Sequence, residues 1–316
     1  MVPASVTTLT GGRFQSPQNI EHSVTDIEHD ETNSLLYLSV TAISTTNYRD
    51  DETGIATIMS WNMTSRTYTQ LAGWETGGGG TTGTITDGIG SAARIIAPYG
   101  IVSDTTTQNM YFTDKGSIRK LQISNNEVTT LASTTTSLNF YNDGTLQTAT
   151  FHLEQRGIVF HNNVLYALSQ FHIRKINLTN DEVTTVAGPI DIVAGTRDGQ
   201  GSNVLFDTAY GFDIQEFPVA YVSMKKYVRK VNLVSGEVTS IEVLQVVRSV
   251  DLSNNSPSIA IQRGSTIASS PSGTKDGTGS TASFYLMTGL AIHVDPSNLH
   301  RDAYEFSDNF NSNTAS

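Results

Sequence analysis

The chain has 316 residues, no cysteine, and 19 basic against 30 acidic side chains for a formal net charge of −11. Without cysteine there is no disulfide, no thiolate nucleophile and no cysteine-ligated metal. The acidic balance argues against nucleic acid and anionic membrane as partners, since both are gripped through Lys and Arg. No apolar run approaches the roughly 18 residues of a membrane span.

In chain order, the first element is Ser5-Val6-Thr7-Thr8-Leu9-Thr10-Gly11, a β-branched run. The preceding MVPASVTT has neither the basic nor the apolar region of a signal peptide. Residues 12–73 carry an acidic cluster, Asp26 to Glu31, and a second at Asp50-Asp51-Glu52. Alternation on a strand puts Glu28 and Asp30 on one face, where a hard cation is one reading and a solvated polar strand the simpler one. The Gly77–Gly80 run lacks the Lys-Ser/Thr of a phosphate loop and reads as a connection between units.

From residue 87 the chain repeats. Ile118-Arg119-Lys120 recurs as Ile173-Arg174-Lys175 and as Val228-Arg229-Lys230, two steps of 55 residues. Val128-Thr129-Thr130, Val183-Thr184-Thr185 and Val238-Thr239-Ser240 follow in the same register. Asp-Gly pairs precede them at Asp87-Gly88, Asp143-Gly144 and Asp198-Gly199. Periods of this size mean a solenoid, propeller or array. Within 98–132 lie four short runs rich in Val, Ile, Thr, Tyr and Phe, separated by Asp, Asn, Gly and Ser. No helical periodicity competes, so the unit reads as a four-stranded propeller blade.

The elements Asp-Gly-x-Gly, Pro-x-Gly-Ile, Tyr shortly before Asp, Ile-Arg-Lys and Val-Thr-Thr-Leu-Ala resemble the NHL-repeat β-propeller family. Together the repeat and the resemblance predict one all-β, six-bladed domain over 1–316. Its blades fall at 12–73, 74–133, 134–188, 189–241, 242–271 and 272–308 plus 5–11. The N-terminal strand closes the last blade by pairing with the sheet of Tyr304–Ser307. Five or seven blades stay open, because 241–275 is poorly patterned.

The repeated Arg-Lys pair reads as a solvated or interblade structural position. The Asp-Gly pair reads as a tight turn, since it lacks the alternating ligands of a calcium loop. In a propeller the first strand of each blade is innermost, and its entry residue faces the central channel. In the Pro-x-Gly-Ile register that residue is Tyr99, and by alignment Thr25, Arg156, Tyr210, Arg248 and Thr288. Aromatic and Arg side chains on a concave rim anchor ligands, filler of a watery channel being the plainer reading.

The seven histidines fall at different repeat offsets and no Ser-His-Asp set is evident, so no catalytic residue, metal ligand or cofactor is assigned. The expected function is a non-enzymatic extracellular or cell-surface scaffold that binds a protein or glycan ligand and self-associates, as in a surface layer or fibre. The alternative, which the resemblance implies, is a metal-dependent hydrolase or lyase centred on the channel. Sequons at Asn62 and Asn177 predict N-glycosylation on exposed hairpins; a third, Asn254, has Pro257 after its Ser. No Ile-Arg-Lys segment follows Asp308, so the polar tail 309–316 is expected to dock on its own chain or on a neighbouring copy.

Overall fold

The computed structural model describes residues 22–42, 56–74, 84–104, 106–133, 141–152, 155–189, 193–224 and 227–242, and the backbone of strands at 5–6, 247–251, 258–263, 277–278, 289–294 and 301–306. Two compact units divide the chain: Arg13–Asp207, and Thr208–Ser316 together with Met1–Gly12. In chain order the strands begin with β1 (Ser5–Val6), which belongs to the second unit.

The unit Arg13–Asp207 follows. Its strands are β2 (His22–Asp30), β3 (Leu35–Ala42), β4 (Ala56–Asn62) and β5 (Thr67–Trp74). Next come β6 (Gly88–Ile89), β7 (Pro98–Asp104), β8 (Asn109–Asp114), β9 (Ser117–Gln122) and β10 (Glu127–Ser133). The third group is β11 (Gly144–Thr145), β12 (Gln155–His161), β13 (Val164–Ser169), β14 (Ile173–Asn177) and β15 (Glu182–Ala187), with β16 (Gly199–Gln200) after it. Three antiparallel blades result, in the orders β2-β3-β4-β5, β7-β8-β9-β10 and β12-β13-β14-β15. The short arms β6 and β11 lie outside β10 and β15 respectively.

Turn chemistry explains why these runs fold back where they do. Lys115 and Gly116 both take positive φ (39° and 77°), as do Asn162 and Asn163 (48° and 62°). These two-residue links fit the right-handed twist of a hairpin. The turn from third to fourth strand ends each time in a left-handed residue: Arg66, Asn126, Asp181 and, in the second unit, Gly236.

Period-two alternation buries both faces of the middle blade. Met110 and Phe112 of β8 pack with Tyr37, Ile58 and Ala72 of the first blade, while Tyr111 packs with Ile158, Leu165 and Ile176 of the third. Burial of such side chains is the main stabilising term, about 1.5–3 kcal/mol each.

The 55-residue period has a physical cause, because its landmarks meet. Arg119 is fully buried; Nη2 donates to Asp87 (3.3 Å) and to Thr86 O, and Nη1 to Asp114 (3.0 Å) and to Arg94 O. Thr130 Oγ1 donates to the same Asp87 oxygen at 2.7 Å. One blade on, Arg174 Nη2 and Thr185 Oγ1 both donate to Asp143 Oδ1. The recurring Arg is therefore a buried clamp on the Asp-Gly arm, not a solvated side chain.

The second unit holds β17 (Ala209–Glu216), β18 (Val219–Met224), β19 (Tyr227–Asn232) and β20 (Glu237–Glu242), a fourth blade of the same order. Beyond it lie β21 (Val247–Asp251), β22 (Ser258–Arg263), β23 (Gly277–Thr278), β24 (Gly289–Val294) and β25 (Arg301–Phe306). Here the six-blade expectation fails: the fold is all-β and of propeller type, but among the described residues four blades of this order form. Residues 242–271 and 272–308 do not form two blades. Each supplies a hairpin, and β21 pairs with β25 to give one sheet of order β22-β21-β25-β24. Neither stretch carries the Ile-Arg-Lys or Val-Thr-Thr runs that make third and fourth strands elsewhere, so each hairpin satisfies its open edge with the other.

The closure expectation is corrected too. β1 pairs with β23, Ser5 opposite Thr278 and Val6 opposite Gly277, and not with the sheet of Tyr304–Phe306. That register matches Glu127 opposite Ile89 and Val128 opposite Gly88, so β1 stands to its Asp-Gly arm as β10 does to β6. The tail 309–316, the Asn254 sequon and the acidic run at 50–52 lie outside the described residues.

Candidate functional site

The first strand of every blade carries one residue too many. Its register slips between Val24 and Asp26 in β2, Pro98 and Ile101 in β7, Gln155 and Gly157 in β12, and Ala209 and Phe212 in β17. The extra positions contain Thr25, Tyr99, Arg156 and Tyr210. Between β21 and β22 the register also shifts, but there the extra residue is Gln262 of β22 and not Arg248. A bulge breaks the in–out alternation and re-aims a side chain, and bulges concentrate beside functional sites. Thr288 and the side chain of Arg248 lie outside the described residues.

In the unit Arg13–Asp207 the first strands are neighbours, and glycine makes that possible. A Cβ on Gly100 would stand 2.7 Å from Ile158 N and 2.8 Å from Gly157 Cα. The amide freed by the bulge is caught by a hydroxyl: Gly100 N donates to Thr113 Oγ1 (3.0 Å), and Gly211 N in the fourth blade to Ser223 Oγ (2.8 Å).

Blade one grips the bulge of blade two from the other side. Thr25 Oγ1 donates to Pro98 O at 2.7 Å and Ser39 Oγ to Tyr99 O at 2.5 Å. Asp26 Oδ2 accepts from Ile101 N (3.0 Å), and Glu28 Oε1 from Ser103 N (3.1 Å) and Ser103 Oγ (2.5 Å). Burial pushes the Glu28 carboxyl up from its ordinary value, against the pull of the two Ser103 bonds. Asp26 and Glu28 thus serve the seam between blades, and Asp30 caps its own turn at Asn33. Among the described residues no group of three or more His, Asp or Glu is placed to hold a metal.

Held this way, Tyr99 meets Arg156. The guanidinium carbon sits 4.9 Å from the centre of the Tyr99 ring, and both residues are half-buried. Such stacking contributes about 0.5–2 kcal/mol and fixes the plane of the guanidinium. Beside Arg156 in sequence, Gln155 is 1% exposed; its Nε2 donates to His152 O at 2.8 Å, while Oε1 accepts no hydrogen bond. Thr25, Tyr99 and Arg156 therefore lie on the neighbouring first strands of three successive blades, Thr25 on the Pro98 carbonyl and Arg156 on the Tyr99 ring. Tyr210 occupies the equivalent bulge in the other unit.

A second polar cluster went unread in the sequence. His172 is buried, with Nε2 on Pro189 O at 2.7 Å, Nδ1 3.4 Å from Ser169 Oγ and its ring 3.6 Å from that of Tyr141. A carbonyl only accepts, so Nε2 carries a proton. Burial, with Arg174 and His152 nearby, holds its pKa down at about 4. The Ser–His pair faces no substrate path, since both residues are 1% exposed. The only sequence signal was an offset: His172 falls on the repeat position of Ser117, and Ser169 on that of Asp114. His161 lies beside Asn162 on a hairpin, and His29 is exposed.

Both sequons lie at the turn from third to fourth strand. Asn62 Oδ1 accepts from Thr64 N and Ser65 N, and Asn177 Oδ1 from Thr179 N.

Compared with family models the chain matches none, and compared with curated proteins it matches none. A structural-genomics protein of unknown function from Bacteroides thetaiotaomicron is similar in structure at 14% identity and a TM-score of 0.48, over 88% of this chain and 58% of that one. The extracellular domain of a protein named as a hybrid two-component system, from the same organism, matches at 8% identity and TM-score 0.43, over 94% of this chain and 40% of that one. This chain thus spans less than two thirds of either. At such values neither likeness bears on ligand or activity.

Proposed function

We propose that the chain is a non-catalytic binding and assembly scaffold of the extracellular space or cell surface, which meets a protein or glycan ligand through its bulged first-strand residues. In the unit Arg13–Asp207 these are Thr25, Tyr99 and Arg156; Tyr210 is the bulged counterpart in the other unit, and Arg248 and Thr288 are the positions aligned with it in sequence. The observation that carries the reading is the stack of Arg156 on Tyr99, formed by two bulge residues at one repeat offset. Glycine, hydroxyl and carboxylate neighbours hold the backbone there, while the bulge residue itself varies between Thr, Tyr and Arg. Fixed supports around a variable aromatic or cationic side chain are what a recognition position requires.

Self-association belongs to the same proposal, because charged residues make up only 16% of the chain and leave little like-charge repulsion between copies. So does N-glycosylation at Asn62 and Asn177. The deciding experiment is a glycan and peptide array probed with the intact chain and with Tyr99→Ala and Arg156→Ala. Ligands retained by the wild type and lost by both variants support the site; retention by both removes it. Light scattering at micromolar concentration reads the assembly, and particles of only 34.1 kDa would refute it.

A further inference from the structure

We infer that the edge where β5 meets the arm of the second blade docks a polypeptide segment of another protein. One carboxylate of that segment is taken by Arg94, while its apolar neighbours lie on Trp74 and Ile89. This surface is separate from the first-strand residues, because Trp74 ends β5, the strand of its blade farthest from β2.

The arm folds back on itself, with Arg94 N donating to Thr86 O at 3.0 Å. The same bond recurs in the next two arms, from Thr150 N to Asn142 O and from Leu205 N to Arg197 O. Arg94 O accepts from the buried Arg119 (3.1 Å), as Thr150 O does from Arg174 (2.8 Å). The backbone is constant while the side chain is Arg, Thr or Leu, so the fold does not require a guanidinium here. That guanidinium is half-buried, 5.2 Å from the centre of the Trp74 ring, and makes no hydrogen bond or ion pair among the described residues. Trp74 is itself pinned, its Nε1 donating to Ser91 O at 2.6 Å. A guanidinium held on an aromatic face with its N–H groups unspent is a fork that matches a carboxylate.

Ile89 is a second departure from the repeat. Thr145 and Gln200 follow the glycine in the next two arms, whereas here the residue is apolar and 61% exposed. Ile89 and Arg94 flank the turn Gly90–Ala92, against which Trp74 packs, and Ser91 and Ala92 of that turn are exposed. Trp and Arg are enriched among the side chains that carry protein–protein affinity. A saccharide is the poorer match, because it is held by several directional polar groups and the exposed surface around this turn is largely aliphatic. The net charge of −11 favours a single carboxylate among apolar side chains over an acidic tract, since repulsion grows with each charge the partner brings.

The test is an array of immobilised peptides, each with one Asp or Glu between apolar side chains, beside Asn or Gln twins and oligogalacturonate, probed with the intact chain. The expected result is a set of carboxylate peptides whose amide twins bind about tenfold more weakly, with the same loss in Arg94→Gln and partial recovery in Arg94→Lys. Both variants should fold, because Thr150 and Leu205 serve at the equivalent position. Trp61 and Trp74 are the two tryptophans of the chain, so in Trp61→Phe a retained peptide should shift the emission of Trp74 itself. Equal binding of acid and amide peptides, binding unchanged in Arg94→Gln, an unshifted emission, or an array that retains no peptide overturns the inference. Oligogalacturonate held through Arg94 without any peptide overturns it in favour of an acidic saccharide. Binding lost in Tyr99→Ala but kept in Arg94→Gln belongs to the first-strand residues and removes this surface alone.

Discussion

Arg119 and Arg174 hold the same repeat position and are buried alike, yet their surroundings differ in one charge. Arg119 faces Asp114, itself fully buried, and the half-exposed Asp87. Among the described residues Arg174 pairs with the half-exposed Asp143 alone, and it lies over the rings of Phe151 (5.1 Å) and Tyr141 (5.2 Å). Burial drives the Asp114 carboxyl up, and Arg119 with the amides of Ile96 and Ala97 pulls it back. Arg119→Met should therefore cost more stability than Arg174→Met, by about 2 kcal/mol or more, because it strands a buried carboxylate; urea unfolding at pH 7 reads the difference, and equal costs would dismiss the account. His172 supplies the pH dependence. Its pKa falls from 6.5 in the unfolded chain to about 4 in the fold, so the unfolded state takes a proton first on acidification. The stabilisation is present above pH 6.5 and is lost as pH falls through 4, amounting to about 3 kcal/mol in all. Glu28 and Asp114, both raised, push the opposite way. The clean measurement is thus a comparison: His172→Gln should lose less stability than wild type between pH 7 and pH 4.5, and parallel losses would count against a buried neutral imidazole.

At the scale of the element, the bulge is the decisive device. It takes Tyr99 and Arg156 out of the alternation of β7 and β12, and Gly100 lets those strands approach until backbone meets backbone. Adding one methyl group at Gly100 should cost about 1–3 kcal/mol, as overpacking does, and should separate Tyr99 from Arg156. Gly201 is the control, because nothing lies within 4 Å of its Cβ position and only its φ of +57° resists a side chain. Thermal melts that place Gly100→Ala level with Gly201→Ala would remove the close-approach argument. The outer arm depends on the Asp–Arg–Thr latch in the same way. Asp87→Ala leaves Thr130 Oγ1 without its acceptor and weakens the hold on β6, so amide exchange at Gly88 and Gly90 should accelerate while that of Leu121 stays slow.

Over the whole molecule, stability is not spread evenly. Within Arg13–Asp207 two interblade cores share the middle blade as a common wall: Ile101, Phe112 and Leu121 belong to one, Tyr111, Ile158 and Ile176 to the other. Exchange protection should therefore peak at these amides and lapse together in denaturant, because losing the middle blade exposes both cores. Separate protection of the first and third blades after the second has exchanged would contradict that coupling.

The all-β class and the period were legible in the residues. Val, Ile, Thr and aromatic runs between Gly, Asn and Asp turns specify strands locally, and β7 to β10 are the four runs expected within 98–132. The bulges were not legible: Tyr99, Arg156 and Tyr210 each precede a glycine but Thr25 precedes Asp26, and the sequence marked them only as entry residues of first strands. Neighbours decided the rest. That Arg119 is buried depends on an Asp 32 residues earlier, Asp87, folding over it. His172 becomes a neutral core residue only because Pro189 O, Ser169 and Tyr141 surround it. Blade number escaped sequence reading for the same reason: the runs in 242–308 are sound strands, but which edge each one joins is settled by which unpaired backbone lies beside it. A strand's existence is a local property of its side chains; its partner is chosen by hydrogen-bonding groups that only the folded chain brings within reach.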